Sequence, residues 1–358
     1  MKPLAVGFAV TVTAWAVLSA QVAGPLPIGG QRPQGGERDS APSTPAPVKS
    51  APGEPADDAS PIKVNVNVVN VLASVRDKHN ALIPNLTKDD FEIYENGQLQ
   101  TVKYFSRETN LPLTIGLLID VSRSQERLID IEQRAGSAFL DAVLKTKDEA
   151  FIMSFGADTE LLQDLTNSKR ALHKGLDNLK PNFGFSGINS GPVPTATSQA
   201  GTVLFDCIYL AATDRMANEV GRKAMVVITD GGDEGSKVGV KKAIEYAQKS
   251  DAAIYSVYYA DTGFRGGGFY IGGGEGYRWL QQMSGETGGH VYEVSRKNPL
   301  DKVFDELQEE MRTQYAIGYT PTDPKKDGSY RKIEVRAKNK DLKVEARKGY
   351  YAIAKDDQ

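Results

Sequence analysis

The run Leu113-Thr114-Ile115-Gly116-Leu117-Leu118-Ile119 is almost unbroken in its apolarity and stops at Asp120. It lacks the alternation of a strand with one wet face, so it predicts a strand buried on both faces of a parallel sheet. A second run of this kind, Ala224-Met225-Val226-Val227-Ile228-Thr229, stops at Asp230. Between and after them, apolar residues recur at helical spacing: Leu128, Ile131, Ala135, Ala138, Phe139 and Ala142, then 169–179, 202–218, 238–249 and 300–312. Further strands are expected at 150–155, 252–259 and 291–294. Strand–helix alternation over about 200 residues implies an α/β fold with a doubly wound, mostly parallel sheet.

On either side the texture is β only. Val64, Val66 and Val68 alternate with Asn65 and Asn67, and 91–95 reads as a strand. Asn96-Gly97 is a hairpin turn that returns the chain through Leu99 to Phe105. After the α/β region come strand patterns at 315–319, 330–337 and 342–347. Three strands alone would leave an apolar face uncovered. Pairing the N- and C-terminal β segments (62–110 and 314–354) into one β-sandwich, with the α/β domain (111–313) inserted between them, covers that face. Two separate small β units are the alternative.

The first twenty residues read as a signal peptide. Lys2 precedes an uncharged stretch from Leu4 to Leu18, shorter than a membrane span, with small residues at Ser19-Ala20 for cleavage. An uncleaved anchor is the alternative. Residues 21–61 hold nine of the chain's 18 prolines and predict a disordered linker. The expected location is secreted or periplasmic, with no membrane span in the mature chain.

Composition narrows the function. Lys plus Arg is 43 and Asp plus Glu is 46, a net charge of −3. No basic surface for nucleic acid is implied. One cysteine, Cys207, excludes an intrachain disulfide and a cysteine-built zinc site. His79, His173 and His290 are scattered, and His290 has no acid partner in its local sequence.

In open α/β sheets ligands bind beyond the carboxyl ends of the strands, near the point where strand order reverses. Asp120-Val121-Ser122-Arg123-Ser124 and Thr229-Asp230-Gly231-Gly232 should meet there, with Gly201-Thr202 opening a helix between them. Two carboxylates and three hydroxyls are hard oxygen donors. They suit Mg²⁺, with Ca²⁺ or Mn²⁺ possible, rather than zinc or copper.

These motifs resemble the von Willebrand factor type A domain and its metal-ion-dependent adhesion site, over residues 111–313. The flanks resemble a bacterial exported family first noted in Acidobacteria, through Leu86-Thr87-Lys88-Asp89-Asp90-Phe91, Glu95-Asn96-Gly97 and Gly318-Tyr319-Thr320-Pro321. The resemblance implies metal contacts from Asp120, Ser122, Ser124, Thr202 and Asp230, directly or through water, and capture of a Glu or Asp carboxylate from a partner protein. Arg123 could reach that carboxylate. The loop 263–276, with eight of the chain's 35 glycines, could contribute Phe269 and Tyr270 as apolar anchors. No His or Lys lies in the motif segments to serve as base or nucleophile, so no enzyme is expected. A structural module of an envelope assembly, its metal only stabilising the fold, is the other reading. Asp233 and Glu234 read as solvated.

Overall fold

A computed structural model describes residues 68–107, 111–182, 201–259 and 274–353. The signal peptide, the linker, Val64, Val66, Phe269 and Tyr270 lie outside the described residues, which all fall within one compact unit, Lys63–Gln358. Four strands come first: β1 (Val69–Arg76), β2 (Phe91–Glu95), β3 (Gln98–Gln100) and β4 (Val102–Ser106). Asn96 and Gly97 have φ of 48° and 82°, the left-handed pair that a tight hairpin needs. The hairpin is shorter than the sequence suggests. Glu95 faces Gln98 and Ile93 faces Gln100, and there the pairing ends. The Gln100 carboxamide accepts from Thr322 N, while Val102 is buried in the core of the flanking strands. The chain therefore changes sheets at Thr101.

The α/β region follows as β5 (Leu113–Asp120), α1 (Ile129–Val143), β6 (Glu149–Phe155), β7 (Thr159–Thr166), α2 (Lys169–Asp177), α3 (Leu204–Leu210), β8 (Arg222–Thr229), α4 (Val240–Lys249), β9 (Ala252–Tyr259), α5 (Glu275–Thr287), β10 (Val291–Val294) and α6 (Leu300–Thr313). The strand order is β10-β9-β8-β5-β6-β7. All neighbours are parallel except β7, which runs antiparallel to β6. All eight residues of β5 are buried, as the apolar run predicts. Leu117 and Ile119 pack with α1, α2 and α6 on one face. Leu118 and Phe151 pack with α3, α4 and α5 on the other. Gly116 interrupts the run because a Cβ there would lie 2.4 Å from the Phe151 ring. The helix expected over 202–218 is α only as far as Leu210, and Ala211–Met216 continues as a π-helix.

The chain closes with β11 (Tyr315–Tyr319), β12 (Tyr330–Ala337), β13 (Lys343–Ala346) and β14 (Gly349–Tyr351). Two antiparallel four-stranded sheets result, β13-β1-β11-β4 and β14-β12-β2-β3. Each takes strands from both sides of the insertion, so the alternative of two separate β units does not hold. One core joins the two sheets, with Val71, Val75, Phe91, Ile93, Tyr315, Tyr319 and Ile333 among its members.

A buried polar network ties this β unit to the inserted sheet. Arg76, 5% exposed, is ion-paired with Glu310 of α6, which is fully buried. Arg76 also donates to Tyr292 OH at 3.1 Å and to Glu345 Oε2 at 3.3 Å. Glu310 accepts further bonds from Ser74 and Tyr292. His290 does have an acid partner, contributed by a distant strand: its Nδ1 lies 3.2 Å from Glu345 Oε1. Among the described residues, no helix is long and apolar enough to cross a membrane.

Candidate metal centre

The sheet order reverses between β5 and β8, and the two motifs leave the carboxyl ends of these adjacent strands. Asp120, the last residue of β5, is fully buried. Its Oδ1 accepts from Ser122 N at 2.9 Å and its Oδ2 from Thr229 Oγ1 at 2.6 Å. Burial pushes its pKa up to about 6, and the charge of Asp230 adds to this against the opposing pull of the Ser122 and Thr229 hydrogen bonds. Burial and the neighbouring like charge therefore make the ionised form of Asp120 costly.

Ser122 is buried and Ser124 exposed, on the turn that also carries the exposed Arg123. The two serine Oγ atoms lie 3.1 Å apart. Two oxygens on adjacent positions around Mg²⁺, each about 2.0–2.1 Å from it, are about 3 Å apart, so this spacing fits the ion. Thr202 precedes α3. Its carbonyl accepts from Glu234 N at 3.0 Å, and the next residue's N–H donates to Gly156 O at 2.9 Å. These bonds seat Thr202 between the loop after β8 and the end of β6. The Asp230 Oδ1 accepts from Gly232 N at 3.0 Å. All five predicted metal residues thus come to the switch-point end of the sheet. Among the described residues no group of three or more His, Cys, Asp or Glu side chains forms a metal cluster. The donor set here rests on hydroxyls and two carboxylates.

Several supporting residues had no role in the sequence reading. Thr229, fully buried, donates to Asp120 and accepts from Gly231 N at 3.0 Å, bridging the two motifs. Gly231 has φ 83°, and a Cβ on it would lie 2.7 Å from Gly276 C at the start of α5. Asp233 is not simply solvated. It is half-buried, and its carboxylate accepts from Phe205 N at 3.1 Å at the start of α3. Asp206 answers by accepting from Lys237 N at 3.0 Å and from Val238 N at 2.9 Å. The start of α3, just past Thr202, and the segment after Asp230 are therefore pinned to each other by two reciprocal carboxylates.

Glu132, on α1, has 0% exposure, and neither of its carboxylate oxygens has a hydrogen-bond partner among the described residues. Burial, and then the charge of Asp120, push its pKa well above the carboxylate range. Its sequence signal is its place on a helical stripe otherwise built of Ile129, Ala135, Gly136, Phe139 and Leu140. Cys207 is fully buried, and burial pushes its thiol far up, as suits a small core residue.

Thr229→Val keeps the shape of the side chain but strands a buried Gly231 N–H and removes a bond to Asp120. A loss of about 1–3 kcal/mol is expected, read as a lower urea midpoint at unchanged slope. An unchanged midpoint would show that the Thr229 bridge is not needed.

No family model and no curated relative matches the chain. Among solved structures it is similar to BatB from Bacteroides thetaiotaomicron, at 18% identity over 56% of this chain and 97% of that one, TM-score 0.41. It is similar to an aerotolerance-related membrane protein from Bacteroides fragilis, at 17% over 56% and 98%, TM-score 0.40. It is also similar to proximal thread matrix protein 1 from the mussel byssus, at 14% over 61% of this chain and 51% of that one, TM-score 0.45.

Proposed function

We propose that this chain is an exported, metal-dependent protein-binding module. In this reading Asp120, Ser122, Ser124, Thr202 and Asp230 hold Mg²⁺, or Ca²⁺ or Mn²⁺ in its place, and a Glu or Asp side chain of a partner protein completes the site. The observation that carries the reading is the pair of serine hydroxyls 3.1 Å apart beside a buried carboxylate at the sheet's switch point. A divalent ion would supply positive charge with a preference for oxygen. The residues do the rest. Thr229 and the Ser122 amide orient Asp120, Gly232 N orients Asp230, and Arg123 stands exposed next to the serines, where an acidic partner would dock. The set of hydroxyls and carboxylates without imidazole or amine fits binding rather than catalysis. Location outside the cytoplasm follows from the N-terminal sequence pattern.

The test is thermal unfolding in EDTA and then in Mg²⁺, Ca²⁺ or Mn²⁺. Ion at 100 times its dissociation constant adds ~2.7 kcal/mol, on the order of 4 °C for a folded unit of this size. Wild type should shift and Asp120→Ala should not. No shift in wild type with any of the three ions would sink the proposal. A shift that survives Asp120→Ala would place the ion elsewhere. A partner that binds equally well in EDTA would favour the purely structural role for the metal.

A further inference from the structure

Gln125 follows the second serine directly, and hydrogen bonds fix its place in the turn. Its N–H donates to Ser122 O at 3.0 Å, and its carbonyl accepts from Leu128 N at 2.8 Å. Ser124 before it and Glu126 after it are exposed, but Gln125 turns its side chain inward and is 3% exposed. An apolar side chain of the same length would fill that position without burying a polar group. The carboxamide is poorly satisfied there. Its Nε2 lies 3.5 Å from Ser124 Oγ, at the long limit of a hydrogen bond, and its Oε1 has no partner among the described residues. A buried acceptor left unmet costs stability.

The donor that Oε1 lacks arises when the serines act as ligands. Their Oγ atoms are 3.1 Å apart, so one hydroxyl donates to the other. A hydroxyl that gives a lone pair to a cation points its O–H bond away from it and becomes a stronger donor. With both oxygens facing an ion, the bond between the serines is lost and the Ser124 proton needs a new acceptor. A half-turn of the Gln125 carboxamide exchanges Nε2 for Oε1 in the position that faces Ser124 Oγ. That rotation satisfies both groups and moves no backbone. We propose that Gln125 is a positioning residue of the metal centre, whose carboxamide oxygen takes the Ser124 hydroxyl proton and so aims the Ser124 oxygen at a divalent cation. The inference rests on the metal-binding reading above. Groups behind the ligands commonly change metal affinity by roughly ten- to a hundredfold when altered. Ser124 is exposed, so water competes for its proton and the lower end of that range is expected.

Two variants of the full chain test this. Gln125→Met keeps the length and removes the carboxamide. Gln125→Glu keeps an oxygen that accepts, whether the carboxyl is charged or neutral. Melting temperature is measured in EDTA and across a Mg²⁺ titration, each protein against its own EDTA value. Gln125→Met should melt no lower than wild type in EDTA and should need about tenfold more Mg²⁺ for the same rise. Gln125→Glu should need no more Mg²⁺ than wild type. A merely structural Gln125 would move the EDTA value and leave the Mg²⁺ requirement alone. If wild type responds and Gln125→Met responds at the same concentrations, the inference is overturned while the metal reading stands. A Gln125→Glu response as weak as that of Gln125→Met, or a lower melting temperature of Gln125→Met in EDTA, also overturns it. If wild type does not respond at all, the metal reading fails and takes the inference with it.

Discussion

Glu310→Ala should lose about 3–5 kcal/mol, the usual result of breaking a buried ion pair from one side. Glu310 is fully buried and accepts from Ser74, Arg76 and Tyr292. Removing its carboxylate leaves three donors and the guanidinium charge short of an acceptor. Burial by itself would lower the Arg76 pKa, and the charges of Glu310 and Glu345 with the Glu310 hydrogen bond more than reverse that, so Arg76 stays charged. Each kcal/mol is about 1.5 °C for a folded unit longer than 250 residues, so the melting temperature should fall by roughly 5–8 °C. Arg76→Met combined with Glu310→Leu should recover most of the loss, because a matched apolar pair often replaces a buried ion pair at little cost. A single variant that costs under about 1 kcal/mol would mean that the junction is not the dry contact described here.

Glu345 should give the protein a distinct acid limb. Burial alone would push this carboxyl up. The hydrogen bond and charge of His290, and then those of Lys343, outweigh burial and hold it at about 2, against an ordinary 4.5. The folded value lies below the unfolded one. Its stabilisation is therefore complete above about pH 4.5 and is lost as pH falls from there through about 2. That gap corresponds to about 3 kcal/mol. Lys343 is 70% exposed, and solvent screens its share, so about 2–3 kcal/mol is expected. Glu345→Gln should be less stable by this amount at pH 5 and should converge on wild type near pH 2. Urea midpoints measured across that range would show the two curves closing, and parallel curves would refute the assignment.

The parts of the fold legible in the sequence are those where burial is two-sided. β5 and β8 are visible because Ile115–Ile119 and Ala224–Ile228 are unbroken by a polar side chain and lead to an aspartate at or just past the strand end. The proposed metal residues stand out for a related reason, since hydroxyls and a carboxylate at fixed spacing contrast with an apolar strand. β7 does not show in the same way. It is an antiparallel edge strand, Thr159–Thr166, with no fully buried residue, so its pattern follows no clean period. β4 looks continuous with the hairpin because the switch of sheets at Thr101 is a tertiary event. β14 is three residues long, too short for periodicity. Thr229 stands inside a quoted motif, but its role depends on Asp120 lying across the sheet from it. His290 and Glu345 are 55 residues apart, so only the assembled fold introduces them to each other.

The interleaving of the flanking strands also sets the order in which the chain can assemble during synthesis. β1 pairs with β11 and β13, and β4 pairs with β11, so neither finds its partner until after Tyr315 has been made. Val69 meets Tyr319 some 250 residues later in the chain. Closing so long a loop from an open coil is entropically costly and slow. The inserted α/β region contains all six strands of its own sheet and can complete it first. Once folded, it carries β11 back to β4, where Ala316 faces Ser106, and the long loop becomes a short gap between fixed ends. The flanking sheets are then the last part to form. A chain cut short before Tyr315 would keep a foldable α/β core but leave β1 and β4 as unpaired edges open to aggregation.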